Sequence, residues 1–138
     1  MYKKIIKYVD FNGEEREEAF YFNLTKAELT EMQFNTPGGF AESIKAIIDA
    51  NSTEEILKVI KGIILKSYGE KSLDGRYFDK SEEISRRFST TEAYSNLYME
   101  LSTDDKAAAE FINEIMPSDI RDQMKSMNDS EVQKLLNK

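Results

Sequence analysis

The chain has no cysteine, no histidine and no tryptophan, and only two prolines and six glycines. Without Cys there are no thiol nucleophiles and no disulfides, so nothing in the composition points to secretion. Without either Cys or His, the usual zinc sites and imidazole acid–base chemistry are excluded. No apolar run approaches a membrane span. The opening stretch "MYKKIIKYVDFNGEE" lacks the apolar core of a signal peptide, which leaves the cytoplasm as the expected compartment. Basic charge is also short. Nineteen Lys and Arg stand against 26 Asp and Glu, a net charge of -7, which argues against a nucleic-acid or anionic-membrane surface. It leaves room for basic partners, or for mimicry of DNA.

What is present is an ordinary globular composition, 40% hydrophobic and 33% charged over 138 residues. One domain with a real core is expected at this length. Residues 2–22 read as a β-hairpin: "YKKIIKYVDF" and "EEREEAFYF" flank Asn12-Gly13, the dipeptide favoured where a two-residue turn needs positive φ. That turn pairs Lys7 with Glu18, Ile6 with Ala19 and Ile5 with Phe20. Neither face of such a hairpin is cleanly polar, so both are expected to be covered, by the chain's own helices or by another copy.

From residue 25 to 117 the pattern is helical. Thr25-x-x-Glu28, Ser52-x-x-Glu55 and Ser89-x-x-Glu92 are capping boxes, in which a side chain at each end satisfies a backbone N–H at the other. Pro37-Gly38-Gly39 breaks the first helix, and a short one is expected over about residues 40–50. Ile56, Leu57, Ile60, Ile63 and Ile64 form one apolar stripe. Ala93, Tyr94, Leu97, Tyr98 and Leu101 form a second, and Ala108, Phe111, Ile112 and Ile115 a third, on a helix capped by Thr103 and stopped by Pro117. The fold expected is α+β and mainly α, a hairpin followed by a bundle of about five or six helices. Residues 118–138 are polar with sparse Met and Leu, and are expected to be helical or partly disordered.

Three groups of residues invite a chemical reading. "KSYGEKSLDGRYFDKSEE" resembles a phosphate loop, but Glu70 separates Gly69 from Lys71 and puts a carboxylate where phosphate would sit. As a calcium loop with Gly75 as its turn glycine, its last ligand position is Ser81 and not an acid. A structural loop is the better reading, with Gly69, Asp74 and Gly75 shaping the chain and Tyr77 and Phe78 pinning it to the core. Phe88, Tyr94 and Tyr98 could stack on bases, but their helical spacing in an acidic chain reads as core. The acids cluster at helix starts and on polar faces, where capping and solvation explain them. No catalytic residue, cofactor or metal site is expected.

Whole segments carry a further signal. "KKIIKYVDFNGEEREEAFYFNLTKAELTEM", "ILKSYGEKSLDGRYFDKSEEI" and "FSTTEAYSNLYMELSTDDKAAAEFINEIMP" resemble, in order, the tail assembly chaperones of long-tailed phages and prophages of Gram-positive bacteria. The likeness covers about residues 1–118 and departs after Pro117. It implies a chaperone domain over residues 1–117 and a non-enzymatic role. Such a protein binds the tape measure protein, keeps that long helical ruler soluble, helps bring tail tube protein to it, and stays out of the finished virion. It implies a homo-oligomer that binds neither nucleic acid nor membrane. Candidate contacts for the partner are Tyr2, Tyr8 and Tyr21 on the hairpin, and Met116, Ile120, Met124 and Met127 near the end, where Met side chains repack easily. The rival reading from another class is an acidic inhibitor that mimics DNA to block a host nuclease or defence protein. Its acids would lie in rows spaced like phosphates; here they gather at helix starts.

Overall fold

The computed structural model describes residues 1–35 and 53–117. The chain begins with strands β1 (Tyr2–Val9) and β2 (Glu15–Phe22), paired antiparallel. The hairpin is where the sequence places it, but its register is one residue away from the expected one. Ile5 pairs with Ala19, Ile6 with Glu18 and Lys7 with Glu17. The cause is Asp10. Its carboxylate accepts the N–H groups of Asn12 at 2.9 Å and Glu14 at 3.0 Å, and the Arg16 Nε–H at 2.6 Å. The Asp10 N–H donates to Glu14 O and the Gly13 N–H to Asp10 O, each at 2.9 Å. The loop is therefore Phe11-Asn12-Gly13, three residues with Gly13 at φ 82, the turn-plus-bulge connection rather than the two-residue turn. A slip of one residue reverses the faces of β2. Phe20 and Phe22 now share the inner face with Tyr2 and Ile6, while Glu15, Glu17, Ala19 and Tyr21 point outward.

Helix α1 (Lys26–Asn35) follows, opened by the expected reciprocal cap. Thr25 N–H donates to Glu28 Oε1 at 3.0 Å, and Glu28 N–H to Thr25 Oγ1 at 3.1 Å. The expected helix over residues 40–50 and the Ser52 capping box lie outside the described residues. Helix α2 (Thr53–Ser67) carries the predicted isoleucine stripe, with Ile60, Ile63 and Ile64 buried.

The stretch after α2 corrects the expectation of a hairpin with helices only. It forms strands β3 (Tyr68–Lys71) and β4 (Phe78–Asp79), and the described residues hold an antiparallel sheet of four strands in the order β1-β2-β3-β4. Tyr21 pairs with Gly69 and Phe22 with Tyr68; Glu70 pairs with Asp79 and Lys71 with Phe78. The residues between β3 and β4 form a tight tip. Ser72 N–H donates to Tyr77 O at 2.9 Å, Asp74 accepts from the Ser72 hydroxyl at 2.7 Å and the Arg76 N–H at 3.0 Å, and Gly75 takes φ 77. The loop chemistry is thus the chemistry of a second hairpin.

Helices α3 (Glu82–Ser89), α4 (Glu92–Thr103) and α5 (Asp105–Ile115) close the described chain, making five helices among the described residues. Two caps differ from expectation. Ser89 stays in the last turn of α3, where its hydroxyl donates to Arg86 O at 2.6 Å, and Thr91 caps α4 by accepting the Tyr94 N–H at 3.1 Å. Likewise Thr103 ends α4 and donates to Met99 O at 2.7 Å, while Asp104 caps α5. At so short a junction the cap falls to the residue with extended backbone; a hydroxyl still inside the preceding helix bonds backward instead.

The core lies between the inner face of the sheet and the helices. Phe22 is its hub, with ring centroids 5.1 Å from Phe111, 5.6 Å from Tyr68 and 5.9 Å from Phe88. Tyr68 stacks on Phe88 at 4.0 Å. Ile6, Leu97, Leu101 and Ile115 fill the space around these rings. The Leu24 N–H donates to Ile115 O at 2.9 Å and ties the exit of β2 to the end of α5.

Candidate partner-binding surface

The new register decides which hairpin residues a partner can reach. Tyr2 packs edge-on against Phe111 at 5.7 Å, and Tyr8 leans on Phe20 at 6.2 Å with its hydroxyl donating to Glu18. Both belong to the inner face and serve the chain's own core. Burial pushes the hydroxyls of Tyr2, Tyr68 and Tyr94 above their ordinary value, so they remain protonated spacers within that core. Tyr21 alone of the three hairpin candidates points outward, with Lys71 Nζ 5.7 Å from its ring. Met116 is also accounted for internally: it caps the C-terminal end of α5 and is 1% exposed. Ile120, Met124 and Met127 lie outside the described residues.

The loop candidates divide in the same way. A Cβ at Gly69 would stand 2.8 Å from the Phe78 ring, so Gly69 is what lets β4 approach. Phe78 is half-buried there, below Lys80 Nζ at 5.6 Å. The Tyr77 backbone closes the loop against Ser72, but its side chain does not pin the loop to the core. It is 67% exposed, with the Arg76 guanidinium 6.0 Å from its ring. Beside it, Glu70, Lys71, Ser72, Tyr77 and Asp79 line an open depression. The crevice among Ile60, Ile63, Leu101, Ala108, Phe111 and Ile112 holds about 10 Å³, too little for a ligand.

Among the described residues, exposed apolar side chains occur singly at Met1, Leu73 and Met99 and together on the far face of the hairpin. Ile5 is 49% exposed, Val9 51% and Phe11, at the turn, 78%; Ala19 is exposed beside Ile5. None of these was singled out from the sequence. The signal that would have found them is Asp10 two residues before Asn12, since an Asp side chain that takes the N–H two residues on favours the longer turn. The charges of the two faces also differ. On the inner face Lys4 pairs with Glu100 at 3.0 Å, and Arg16 with Asp10 at 2.6 Å and Glu18 at 3.8 Å. The outer face carries Lys3 and Lys7 on β1 and Glu15 and Glu17 on β2, and among the described residues none of these four has an ion pair.

No group of three or more His, Cys, Asp or Glu among the described residues could hold a metal ion. No helix among them is long and apolar enough to cross a membrane. A family model described as phage tail assembly chaperone matches residues 1–137. The matched range extends past Pro117 and takes in the polar segment where the resemblance seen in the sequence faded. No curated protein and no solved structure matches the chain.

Proposed function

The chain belongs to the phage tail assembly chaperone family, and we propose that it is the non-enzymatic chaperone of a tape measure protein in a long-tailed phage or prophage of a Gram-positive host. The observation that carries this reading is the family match, which spans residues 1–137. A tape measure protein is a long chain of apolar helices. Before the tail tube encloses it, those helices need a cover that keeps them from one another. The chaperone supplies that cover in the host cytoplasm, hands the ruler to tail tube protein, and is absent from the finished virion.

The segment after Pro117 is the favoured contact. Ile120, Met124 and Met127 recur at roughly helical spacing in an otherwise polar stretch, and Met side chains adapt to helices of varied shape. The reading is supported by where the other candidates fall: Tyr2, Tyr8 and Met116 are engaged in the core, and of the candidates among the described residues Tyr21 alone faces outward.

Co-expression with a tape measure protein tests it. The full chain should raise the soluble yield of the tape measure protein, and Met124→Asp with Met127→Asp should abolish the gain while circular dichroism shows an unchanged fold. An anchor of this kind commonly contributes ~2 kcal/mol or more. A tape measure protein equally soluble with or without the chaperone would overturn the reading.

A further inference from the structure

We propose that the outer face of the β1–β2 hairpin docks a second copy of this chain, with β1 of each copy lying over β2 of the other. The pairing is written in the side chains of that face. Going along the hairpin from its open end, β1 presents Lys3, Ile5, Lys7 and Val9, and opposite them β2 presents Tyr21, Ala19, Glu17 and Glu15. One strand carries only basic charge on this face and the other only acidic, with Ile5 and Ala19 side by side between them.

Two sheets packed face to face lie about 10 Å apart with nearly aligned strands. Two two-fold axes can relate them. An axis across the strands sets β1 over β1 and β2 over β2, running in opposite directions, so that a strand bearing only basic charge lies above its like and a strand bearing only acidic charge above its like, which is repulsive. An axis along the strands sets β1 over β2 at the same level. Lys7 then meets Glu17 of the other copy, Ile5 meets Ala19, Lys3 lies over the Tyr21 ring and Val9 over the Glu15 stem. Each contact occurs twice, as a two-fold interface requires. The same axis brings the two turn tips to one end, where Phe11 is 78% exposed. The charge pattern thus selects one arrangement of the two.

Electrostatics on the two faces supports this. The inner-face charges Lys4, Arg16 and Glu18 are matched within the chain, whereas Lys3, Lys7, Glu15 and Glu17 have no ion pair among the described residues. Ile5 and Val9 are each about half exposed and lie on one face with exposed Ala19, toward the exposed Phe11 at the turn, an apolar patch rimmed by charge of the kind that marks an interaction surface. The face of a two-stranded hairpin is smaller than the about 800 Å² per partner of a stable complex. The dimer is therefore weak, concentration-dependent and weakened by salt. The inference stands on the sheet alone and does not need the tape measure reading.

Charge reversal in trans tests it with the full chain. Sedimentation equilibrium should show wild type dimerising as concentration rises. Lys7→Glu and Glu17→Lys should each weaken that association by at least about tenfold, because each sets like charges face to face twice. An equimolar mixture of the two variants should dimerise again, since each then meets its opposite in the other chain. Thermal unfolding of each variant checks that Lys7 and Glu17, which are also neighbours within one hairpin, have not been tested only for folding. Variants that dimerise as wild type does, or a mixture of folded variants that stays monomeric, would overturn the proposal. A wild type that is monomeric at every concentration would do the same. So would cross-links within a monomer from Lys3 or Lys7 to Lys125, Lys134 or Lys138, which would put the chain's own end on this face.

Discussion

A methyl group at position 69 has nowhere to go: 2.8 Å from the Phe78 ring and 2.9 Å from Asp79 O, it meets a packed side chain and a strand backbone at once. At position 75 the same methyl would touch nothing within 4 Å, but the backbone there has φ 77. Two glycines six residues apart in sequence thus fail for different reasons. Gly69→Ala is expected to cost about 1–3 kcal/mol as overpacking, with β4 displaced. Gly75→Ala is expected to cost roughly 1–2 kcal/mol through the left-handed backbone alone, with β3 and β4 still paired. Urea unfolding gives both costs, and amide exchange at Glu70 and Asp79 separates the mechanisms. If exchange at those amides rises equally in both variants, the close approach at Gly69 is not what holds β4. The sequence showed that both glycines shape this loop. Which one serves a turn and which a contact could not be read there, because the contact is with a strand the loop was not known to contain.

Between elements, Glu28 links the cap of α1 to the chain after β4. It accepts from Thr25 N–H and from Lys80 Nζ at 2.7 Å. Burial pulls its carboxyl upward, but Lys80 and the Thr25 N–H outweigh that and hold it below the usual carboxylate range. A lowered folded-state pKa means that the stabilisation is fully present above the ordinary value and is lost as pH falls through the lowered one. Stability should therefore fall on acidification below the ordinary glutamate value, and Glu28→Gln should flatten part of that fall. Asp10, held low by Arg16, and Asp74, held low by Ser72, contribute to the same acid limb, so the difference between wild type and Glu28→Gln is the quantity to measure. A Glu28–Lys80 coupling of about 1 kcal/mol at neutral pH, vanishing in acid, is expected from a double-mutant cycle. An acid limb of unchanged steepness would show that the pair is not formed in solution.

The helix junctions make a second test at this scale. Thr91→Ala should cost about 1 kcal/mol and Ser89→Ala well under half of that, because only Thr91 meets an orphan N–H of α4. Equal costs would restore the Ser89 cap that the sequence suggested. The motif Ser89-x-x-Glu92 has the right letters at the right spacing, yet a spacing cannot say where the preceding helix ends.

The sheet and the helices meet at Phe22, whose ring touches Phe111 on α5, Phe88 on α3 and Tyr68 on β3. Phe22→Ala is expected to cost about 3–5 kcal/mol. Sheet and helices should then unfold together, seen as coincident transitions in far-ultraviolet circular dichroism and tyrosine fluorescence. A helical transition that persists after the tyrosine signal is lost would mean two independent units. The polar end belongs to the chaperone family's pattern as the rest does, and Met116 closes the core just before it. Removing residues 118–138 should accordingly leave the unfolding midpoint nearly unchanged while abolishing support of the tape measure protein; a chain that unfolds without that segment would assign it to the core instead.

Legible in the sequence were the helices among the described residues to within a residue or two at their caps, their apolar faces, the hairpin over residues 2–22, and the lack of thiol or imidazole chemistry. These are properties of period and of neighbours within about four residues, and they are legible because helix bonds and caps span that distance. The tertiary structure decided the rest. One carboxylate, that of Asp10, lengthened the turn by a residue and so chose which side of β2 faces the core, moving Tyr2 and Tyr8 inside and leaving Ile5, Val9 and Ala19 outside. A strand partner distant in the chain turned an apparent loop into β3 and β4. Strand period is two, so a single added residue exchanges the faces completely, and pairing between remote strands leaves no periodic trace in either of them.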